Sequence, residues 1–348
     1  MQLKLAFVGF GNVARAFARM LDERRAILAE QYDINWRATA IATGNHGCIL
    51  ASNIDLNEAV ASVERGENLT TLKDDLPAAN SLEVIERCDA DIIFETSPLN
   101  AEDGEPAVSH IRGALARGIN VVTANKGPVA FAYRELKSMA DERNVSFRFE
   151  GTVMDGAPIF NLAEYCLPAA RVKGFYGVLN STTNLILTEM ERGRPFDDAL
   201  KIAQSMGVAE ANADYDIDGW DAAVKAVAIA NVLMNADLRP KDVHPTGIRN
   251  ITIDDLKEAA REGFAIRLVA RAETTSAGLA IKVAPERAPM ASAIASVRGT
   301  SNVLVLETDL MGELAIFEND PGVEQTAYAL LSDMIRIQEI IGTARERP

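Results

Sequence analysis

The chain has 348 residues, of which 50 are acidic and 35 basic, and its formal charge of −15 argues against nucleic-acid binding because such a surface repels phosphate backbones. Its 48% hydrophobic and 24% charged residues are typical of a folded globular protein, and no apolar run reaches the ~18 residues that a membrane-spanning helix needs. The three cysteines (Cys48, Cys88 and Cys166) are too few for a disulfide framework, and without a signal-like N-terminus the sequence predicts a cytoplasmic protein of two domains.

The first 150 residues alternate short apolar runs with helix-like segments, a pattern that predicts a parallel α/β sheet. Right-handed crossovers between such strands build a doubly wound, Rossmann-type sheet, which binds ligands at the carboxyl ends of its strands. The predicted strands are residues 3–8, 36–42, 91–95, 120–123 and 146–150.

The pattern changes after residue 150. Residues 171–180 and 264–317 contain alternating segments separated by glycine and proline, which are typical of antiparallel strands. We therefore predict an α/β protein with a dinucleotide-binding domain at 1–150, an α+β domain at 151–321, and a helical segment at about 322–348 that packs back on the first domain. Within these spans, the predicted helices are about 182–192, 196–206, 218–236, 254–262 and 323–341, and two of the predicted strand segments are 278–285 and 302–317.

A glycine motif, Gly9-Phe10-Gly11-Asn12-Val13-Ala14, follows the first predicted strand and opens the first predicted helix. Gly9 permits a tight turn, Gly11 lets the backbone approach a pyrophosphate, and Ala14 is small enough for close packing of helix on strand. The start of the helix attracts phosphate charge. The same motif also occurs as a purely structural turn, but its position after the first strand favours dinucleotide binding.

The end of the second predicted strand bears on the choice between NAD and NADP. The segment Ile41-Ala42-Thr43-Gly44-Asn45-His46 has no carboxylate to accept a bond from a ribose hydroxyl and no arginine to hold a 2′-phosphate. Arg15, on the first helix, is a candidate to bind such a phosphate. The choice therefore stays open with a slight preference for NADP, and His46 is interpreted as a loop residue rather than a catalyst.

Two lysines are candidate functional residues. Lys225 follows Asp221 by four residues in an alanine-rich stretch, so the two side chains share one helix face, as a plain ion pair or as a catalytic pair. Lys126 lies just after the strand that ends at Thr123, where cofactor and substrate meet in such sheets, although a surface lysine is the alternative.

An acidic segment precedes the Asp221–Lys225 pair. Glu210 lies eleven residues before Asp221, and Asp214, Asp216 and Asp218 lie between them. Carboxylates beside a lysine can bind the amino group of an amino-acid substrate, whereas the alternative is a solvated acidic loop.

Taken together, several segments resemble the homoserine dehydrogenase family, in its short form without a regulatory domain. The resemblance covers nearly the whole chain. The segments that carry it are Val122-Thr123-Ala124-Asn125-Lys126-Gly127-Pro128, Glu150-Gly151-Thr152-Val153, Asn180-Ser181-Thr182-Thr183-Asn184, Gly207-Val208-Ala209-Glu210 and Gly219-Trp220-Asp221-Ala222-Ala223, followed by Lys225.

The resemblance implies an NAD(P)-dependent oxidoreductase that interconverts L-homoserine and L-aspartate 4-semialdehyde by hydride transfer, as a homodimer. It implies that Lys225, Lys126 and Asp221 are catalytic, and that Glu210, Asp216 and Thr182 bind the substrate. The implied cofactor-binding residues are Gly9, Phe10, Gly11, Asn12, Val13, Ala14, Thr43, Ser97, Thr123, Asn125, Lys126 and Glu324.

The family also carries a structural monovalent cation, such as sodium, which would fall on Glu150, Val153, Asp155 and Ala157. The chain departs from the family pattern at Met154-Asp155, Ser181 and Asn212. These departures motivate a first alternative, a dehydrogenase for another small hydroxy or oxo amino acid. A second alternative, a non-catalytic dinucleotide sensor, is disfavoured because a sensor needs neither lysine.

Overall fold

The structure is a computed structural model that describes residues 2–72, 76–276 and 278–346. The predicted spans 1–150, 151–321 and 322–348 include positions 1, 73–75, 277 and 347–348, which lie outside these described residues. The chain divides into two compact units, one formed by Met1–Pro158 with Gly322–Pro348 and the other by Ile159–Pro321. Among the described helices, none combines the length and the apolar character that crossing a membrane would require.

The first unit is built on a seven-stranded sheet of order β4-β3-β2-β1-β5-β6-β7. The parallel part of this sheet consists of β2, β1, β5, β6 and β7. At one edge, β3 pairs antiparallel with β2, and β4 pairs antiparallel with β3. The elements are β1 Gln2–Val8, α1 Asn12–Glu23, α2 Arg25–Tyr32, β2 Asn35–Ala42, β3 Cys48–Ile54, α3 Leu56–Glu64, β4 Leu76–Ala78, α4 Ser81–Arg87, β5 Ile92–Glu95, α5 Ala107–Ala116, β6 Asn120–Thr123, α6 Lys126–Arg143 and β7 Phe147–Arg148.

The strands predicted at 3–8, 36–42, 91–95 and 120–123 are confirmed as β1, β2, β5 and β6. The strand predicted at 146–150 is shorter, because Glu150 already begins a 3₁₀ turn. The antiparallel edge was missed. Only residues 43–47 join β2 to β3, and a link this short can make a hairpin but not the crossover that a parallel neighbour needs.

The second unit contains a five-stranded, fully antiparallel sheet of order β10-β9-β8-β11-β12. Its elements are α7 Ile159–Asn161, β8 Val172–Val178, α8 Ser181–Glu191, α9 Phe196–Ser205, α10 Asp214–Ile217, α11 Trp220–Leu233, α12 Ile253–Arg261, β9 Phe264–Thr275, β10 Gly278–Pro289, α13 Ala293–Ser296, β11 Asn302–Thr308 and β12 Glu313–Glu318, and the last helix of the chain is α14 Val323–Glu346.

Two elements of the second unit differ from the prediction. The helix predicted at 218–236 begins at Trp220, because Gly219 takes a left-handed conformation with φ +87° and separates α10 from α11. The segment 302–317 is a hairpin of β11 and β12, with Gly312 at φ +68° in its turn. In both places a glycine interrupts a pattern that reads as continuous in the sequence.

The core of the first unit fixes the turn between β1 and α1. Phe17, on the buried face of α1, packs against Phe94 of β5 with 4.6 Å between ring centroids, and Phe7 of β1 lies 5.5 Å from Phe94. Leu330 and Met334 of α14 belong to the same buried cluster. Strand, helix and closing helix are thereby held as one packed layer around the glycine motif.

Candidate active site

The glycine motif contains one glycine that the protein itself requires and one that it does not. Gly9 has φ +88°, and a Cβ there would lie 2.6 Å from the backbone nitrogen of Ser97. Gly11 has φ −79°, and a Cβ there would meet nothing within 4 Å. Packing within the protein therefore requires a glycine at position 9 and does not require one at position 11. Gly11 also caps α1, so no side chain of its own covers the first N–H groups of that helix.

The loops after β1 and β5 meet at the switch point of the sheet, where the strand order reverses. Thr96 Oγ1 donates to the carbonyl of Gly9 at 2.9 Å. Dinucleotides bind at this position in doubly wound sheets, outside the carboxyl ends of the strands.

Hydrogen bonds join the loop after β5 to the start of α6. Asn125 caps α6 by accepting from the N–H of Gly127 at 2.9 Å, and its Nδ2 donates to the carbonyl of Ser97 at 2.9 Å. Its own N–H donates to Thr123 Oγ1 at 2.9 Å. Thr123 and Asn125 are buried, whereas Lys126, the first residue of α6, is half-buried. The structure therefore brings Ser97, Thr123, Asn125 and Lys126 to one edge of the sheet.

The turn after β2 is held by its own side chains. Thr43 Oγ1 donates to the carbonyl of Gly47 at 2.9 Å and accepts from the N–H of His46 at 2.7 Å. His46 lies in this turn as predicted, with Nδ1 2.9 Å from the carbonyl of Glu67. Arg15 folds onto the glycine motif, because it donates to Asn12 Oδ1 at 2.8 Å.

Sequence reasoning missed a buried acid in the first unit. Glu95, the last residue of β5, is fully buried, and its carboxylate contacts Ser97, Thr123 and His110. A glutamate at the end of an otherwise apolar strand is the signal that could have found it.

The four residues proposed for a cation lie close together in the chain. Glu150 is 2% exposed and donates its N–H to Asp333 Oδ2 at 2.9 Å. Val153 and Ala157 are buried, and Asp155, at φ +45°, lies in a tight turn between them. Among the described residues, no group of three or more His, Cys, Asp or Glu side chains could hold a metal ion. Glu324, a further cofactor candidate, is exposed in the first turn of α14.

Lys225 lies on the buried helix α11 of the second unit, and its ammonium contacts a carboxylate and a backbone carbonyl. Its Nζ lies 3.1 Å from Asp221 Oδ2 and donates to the carbonyl of Leu179 at 2.7 Å. The side chains of Lys225 and Asp221 are only 14% and 9% exposed. The spacing of four residues thus does form the predicted pair, and the Leu179 carbonyl fixes the lysine from outside its helix.

Asn180 connects this pair to a second carboxylate. It is 4% exposed, and its Nδ2 donates to Asp216 Oδ1 at 2.8 Å and to Asp221 Oδ2 at 2.9 Å. Its Oδ1 accepts from the N–H of Thr183 at 2.8 Å, so Asn180 also caps α8. Sequence reasoning missed this role, although an asparagine directly before a helix is a capping signal.

Two carboxylates of this cluster interact with Lys225: Asp221 by direct contact and Asp216 by electrostatic attraction. Burial, and then the negative charge of Asp221, raise the pKa of Asp216 above its usual range. Thr182 is buried beside them and donates to the carbonyl of Val208 at 3.1 Å.

The other acids of the predicted segment lie in different surroundings. Arg249 contacts Asp214 at 2.6 Å and Asp218 at 3.0 Å, so these two carboxylates are paired at the surface. Glu210 is exposed, and its backbone carbonyl accepts from Gln204 Nε2 at 3.3 Å. The structure therefore groups Asp216, Asp221, Lys225 and Thr182, and it leaves the Glu210 side chain at the surface.

A Rossmann-type sheet with a glycine motif at its switch point, in a chain that also carries a buried lysine–carboxylate cluster, defines the class of nucleotide-dependent α/β oxidoreductases. A model of the homoserine dehydrogenase family matches residues 158–335. The chain belongs to the homoserine dehydrogenase family of NAD(P)-dependent oxidoreductases.

Individual relatives agree with this assignment. An NAD(+)-dependent homoserine dehydrogenase of Pseudomonas canavaninivorans is 37% identical over 97% of each chain. The solved structure of a provisionally named homoserine dehydrogenase from Archaeoglobus fulgidus is 35% identical, with a TM-score of 0.86 over 97% of this chain and 99% of that one. A hyperthermophilic archaeal homoserine dehydrogenase mutant in complex with NADPH is 29% identical, with a TM-score of 0.81 over 97% and 98% of the two chains.

Proposed function

We propose that the chain interconverts L-homoserine and L-aspartate 4-semialdehyde, with the first unit binding NAD(P) and the second binding the substrate. The observation that carries this proposal is the largely buried cluster in which Asn180 joins Asp216 to Asp221 and Asp221 contacts Lys225. Its carboxylates suit the ammonium group of an amino-acid substrate, and its lysine suits the hydroxyl or aldehyde oxygen.

Lys225 is the proposed acid–base residue. When bound, the nicotinamide cofactor accepts or supplies the hydride, and the protein handles the accompanying proton. In the reductive direction the Lys225 ammonium donates to the oxygen on which negative charge develops. Asp221 and the Leu179 carbonyl hold that ammonium in place, and Lys126 is the second lysine proposed to take part in proton transfer.

Three further residues are proposed to hold the substrate. Asp216 takes the ammonium group, with its carboxylate oriented by Asn180. Thr182, at the start of the buried helix α8, and Glu210, on the exposed loop before α10, take the remaining polar groups.

The first unit fits a dinucleotide. Gly11 leaves the backbone open to a pyrophosphate, and α1 presents its first N–H groups without a side chain from the capping residue. The residues that we propose for cofactor binding are Gly9, Phe10, Gly11, Asn12, Val13, Ala14, Thr43, Ser97, Thr123, Asn125, Lys126 and Glu324.

For the cofactor we propose that both dinucleotides are accepted, with a slight preference for NADP. The support is the lack of a carboxylate at positions 41–46, which would otherwise hold the ribose hydroxyl of NAD, together with the position of Arg15 on the glycine motif. We further propose a monovalent cation, such as sodium, on Glu150, Val153, Asp155 and Ala157, because carboxylate and carbonyl oxygens are the ligands that hard cations prefer.

Two of the departures from the family pattern have local structural roles. Ser181 Oγ accepts from Asn302 Nδ2 at 3.1 Å, and Asn212 Oδ1 accepts from the N–H of Asp214 at 3.0 Å. These two substitutions therefore do not by themselves favour a different substrate.

A spectrophotometric assay of the purified protein with homoserine and each cofactor tests the proposal. We expect turnover with both, and a larger kcat/KM with NADP. Absence of turnover with either cofactor from neutral to alkaline pH would contradict the activity. A much larger kcat/KM on another small hydroxy amino acid would show that this compound, and not homoserine, is the preferred substrate.

A further inference from the structure

A buried carboxylate and an imidazole lie directly beneath the proposed cofactor loops of the first unit. Glu95 has no exposed surface, and His110 of α5 is 4% exposed. His110 Nδ1 lies 3.3 Å from Glu95 Oε1. The same carboxylate oxygen accepts from the N–H of Ser97 at 3.2 Å and from the Ser97 hydroxyl.

The second carboxylate oxygen reaches the neighbouring strand. Thr123 Oγ1 lies 3.2 Å from Glu95 Oε2 and 2.9 Å from the Glu95 carbonyl, so its single hydroxyl hydrogen is donated to Glu95 in either case. Since the Thr123 oxygen accepts from Asn125 and Asn125 donates to the Ser97 carbonyl, the hydrogen bonds close a ring. The ring runs from Glu95 to Ser97, Asn125, Thr123 and back to Glu95.

We propose that Glu95 and His110 are positioning residues for cofactor binding. Glu95 sets the conformation of the loop after β5 and ties it to the end of β6, and His110 fixes the Glu95 carboxylate from α5. The start of α6, and with it Lys126, is placed by the same ring through the Asn125 cap. This inference rests on the proposed function, because it assigns these loops to a dinucleotide.

The position of the ring distinguishes this role from general stabilisation. A fully buried carboxylate is unfavourable in a sheet core unless several donors surround it, and an apolar residue would fill the same volume without that requirement. Glu95 instead lies at the carboxyl edge, next to the turn where Ser97 N leaves no room for a side chain at Gly9. Supporting hydrogen bonds of this kind hold binding groups within a few tenths of an ångström of their working geometry.

The test compares Glu95→Gln and His110→Gln with a matched control. Glu95→Gln keeps the volume of the side chain but replaces one acceptor oxygen by an NH₂ donor. That donor would face the donor groups of Ser97 or the Thr123 hydroxyl, so one of these hydrogen bonds would be lost. His110→Gln keeps an N–H donor for Glu95 and is the conservative change. The control is Thr39→Val, which removes a buried hydroxyl that donates to the Asp89 carbonyl at 2.9 Å elsewhere in the same sheet.

Cofactor dissociation constants are measured by fluorescence titration of NADPH and NADH, and Tm is recorded for each protein. We expect Glu95→Gln to raise the dissociation constant about 10- to 100-fold, His110→Gln to raise it less, and Thr39→Val to leave it unchanged at a comparable loss of Tm. An unchanged constant in folded Glu95→Gln, or an equal rise in Thr39→Val, would overturn the inference. Should Glu95→Gln not fold, His110→Gln decides in the same way.

The wild-type protein separates this inference from the proposed function. Cofactor binding without turnover of homoserine would overturn the proposed substrate and leave the positioning role to be decided by the titrations. Wild-type turnover together with unchanged binding in both variants would overturn the positioning role alone. A wild-type protein that binds neither NADPH nor NADH would overturn both.

Discussion

Lys225 is held more firmly than a helix ion pair alone would hold it. Asp221 lies one helical turn before it, and the Leu179 carbonyl accepts from it across 46 positions of the chain. In the proposed reaction, an ammonium so fixed would keep its direction, which would lower the reorganisation needed as charge develops on the substrate oxygen.

We predict that Lys225→Met lowers kcat by about 10²–10⁴-fold with little change in cofactor affinity. The same change should lower the free energy of unfolding by about 3 kcal/mol, because Asp221 keeps the Asn180 bond but loses its cation. The double variant with Asp221→Asn should recover much of the stability and none of the rate. Steady-state kinetics and denaturant unfolding measure the two effects.

Lys201→Met is the matched control for Lys225, because Lys201 pairs with Asp198 on the exposed helix α9, with side chains 73% and 58% exposed. Its effect on stability should stay below about 1 kcal/mol, and kcat should not change. A folded Lys225→Met protein with wild-type kcat would leave Lys126 as the remaining lysine candidate.

We predict that alanine substitutions at the two glycines of the motif have different effects, one on stability and the other on cofactor binding. Gly9→Ala should lower the free energy of unfolding by about 2–4 kcal/mol, because it combines a left-handed φ with a backbone clash. Gly11→Ala should change it by less than about 1 kcal/mol, since the backbone is extended and the space is open, yet it should weaken cofactor binding. Unfolding curves and NADPH titration distinguish the two. If Gly11→Ala bound the cofactor with wild-type affinity, the proposal that the pyrophosphate binds at this turn would be wrong.

The raised pKa of Asp216 predicts a pH dependence with a defined sign. The folded protein keeps this proton to higher pH than the unfolded chain does, so Asp216 lowers the free energy of unfolding as pH rises from about 4 through its raised pKa. Asp216→Asn lacks this loss, and its stability relative to wild type should therefore increase from about pH 4 to neutral pH. Homoserine should bind wild type more tightly over the same rise, because its ammonium needs the ionised carboxylate. Denaturant unfolding and ligand titration across pH measure the two effects. If Asp216 were ionised throughout this range, the difference in stability between Asp216→Asn and wild type would not change with pH.

At the scale of elements, the short helix α10 depends on a neighbouring segment for its position. Four residues cannot form a stable helix alone. Arg249 contacts the acids at both ends of α10, and the N–H of Ile248 donates to the Ile217 carbonyl at 2.9 Å. Gly247 packs so closely that a Cβ would lie 2.5 Å from the Asp218 Cα. This segment therefore sets where α10 presents Asp216.

We predict that Arg249→Ala raises KM for homoserine about fivefold, equivalent to ~1 kcal/mol, while kcat and cofactor affinity change little. Its cost in stability should stay below about 1 kcal/mol because the ion pairs are exposed. Arg287→Ala is the control, since it removes an exposed ion pair with Glu262 elsewhere in the second unit. Equal rises of KM in both variants would show a general effect and not a role of α10.

At the scale of the whole molecule, we propose a homodimer formed through the second sheet. Among the described strands, β12 is at the edge of this sheet, and three exposed apolar side chains lie on or beside it: Leu310 at 68%, Met311 at 62% and Phe317 at 48% exposed. Edge strands of this kind are usually covered, and a symmetric partner would cover this one.

Light scattering should therefore give a mass of twice 37.6 kDa at micromolar concentration. Phe317→Asp should shift the protein towards the monomer. Tyr328→Asp, at a similarly exposed apolar position on α14, should not. A monomeric wild-type protein would refute the dimer.

The sequence by itself determined what depends on neighbouring positions. The period of apolar residues located β1, β2, β5 and β6, the glycine motif followed from its place between strand and helix, and a spacing of four residues paired Asp221 with Lys225. Short-range geometry fixes such features, because strand and helix periods place nearby side chains on one face.

Only the tertiary structure decided which distant groups meet. Asn180 reaches Asp216 and Asp221 across 36 and 41 positions, and Glu95 joins Thr123 across 28. These contacts follow from how helices and strands pack, and no local period encodes them. The same reason separates Asp216 from Asp214 and Asp218, which are alike in sequence. Only packing decided that Asp216 lies half-buried near Asp221 and that the other two carboxylates face Arg249.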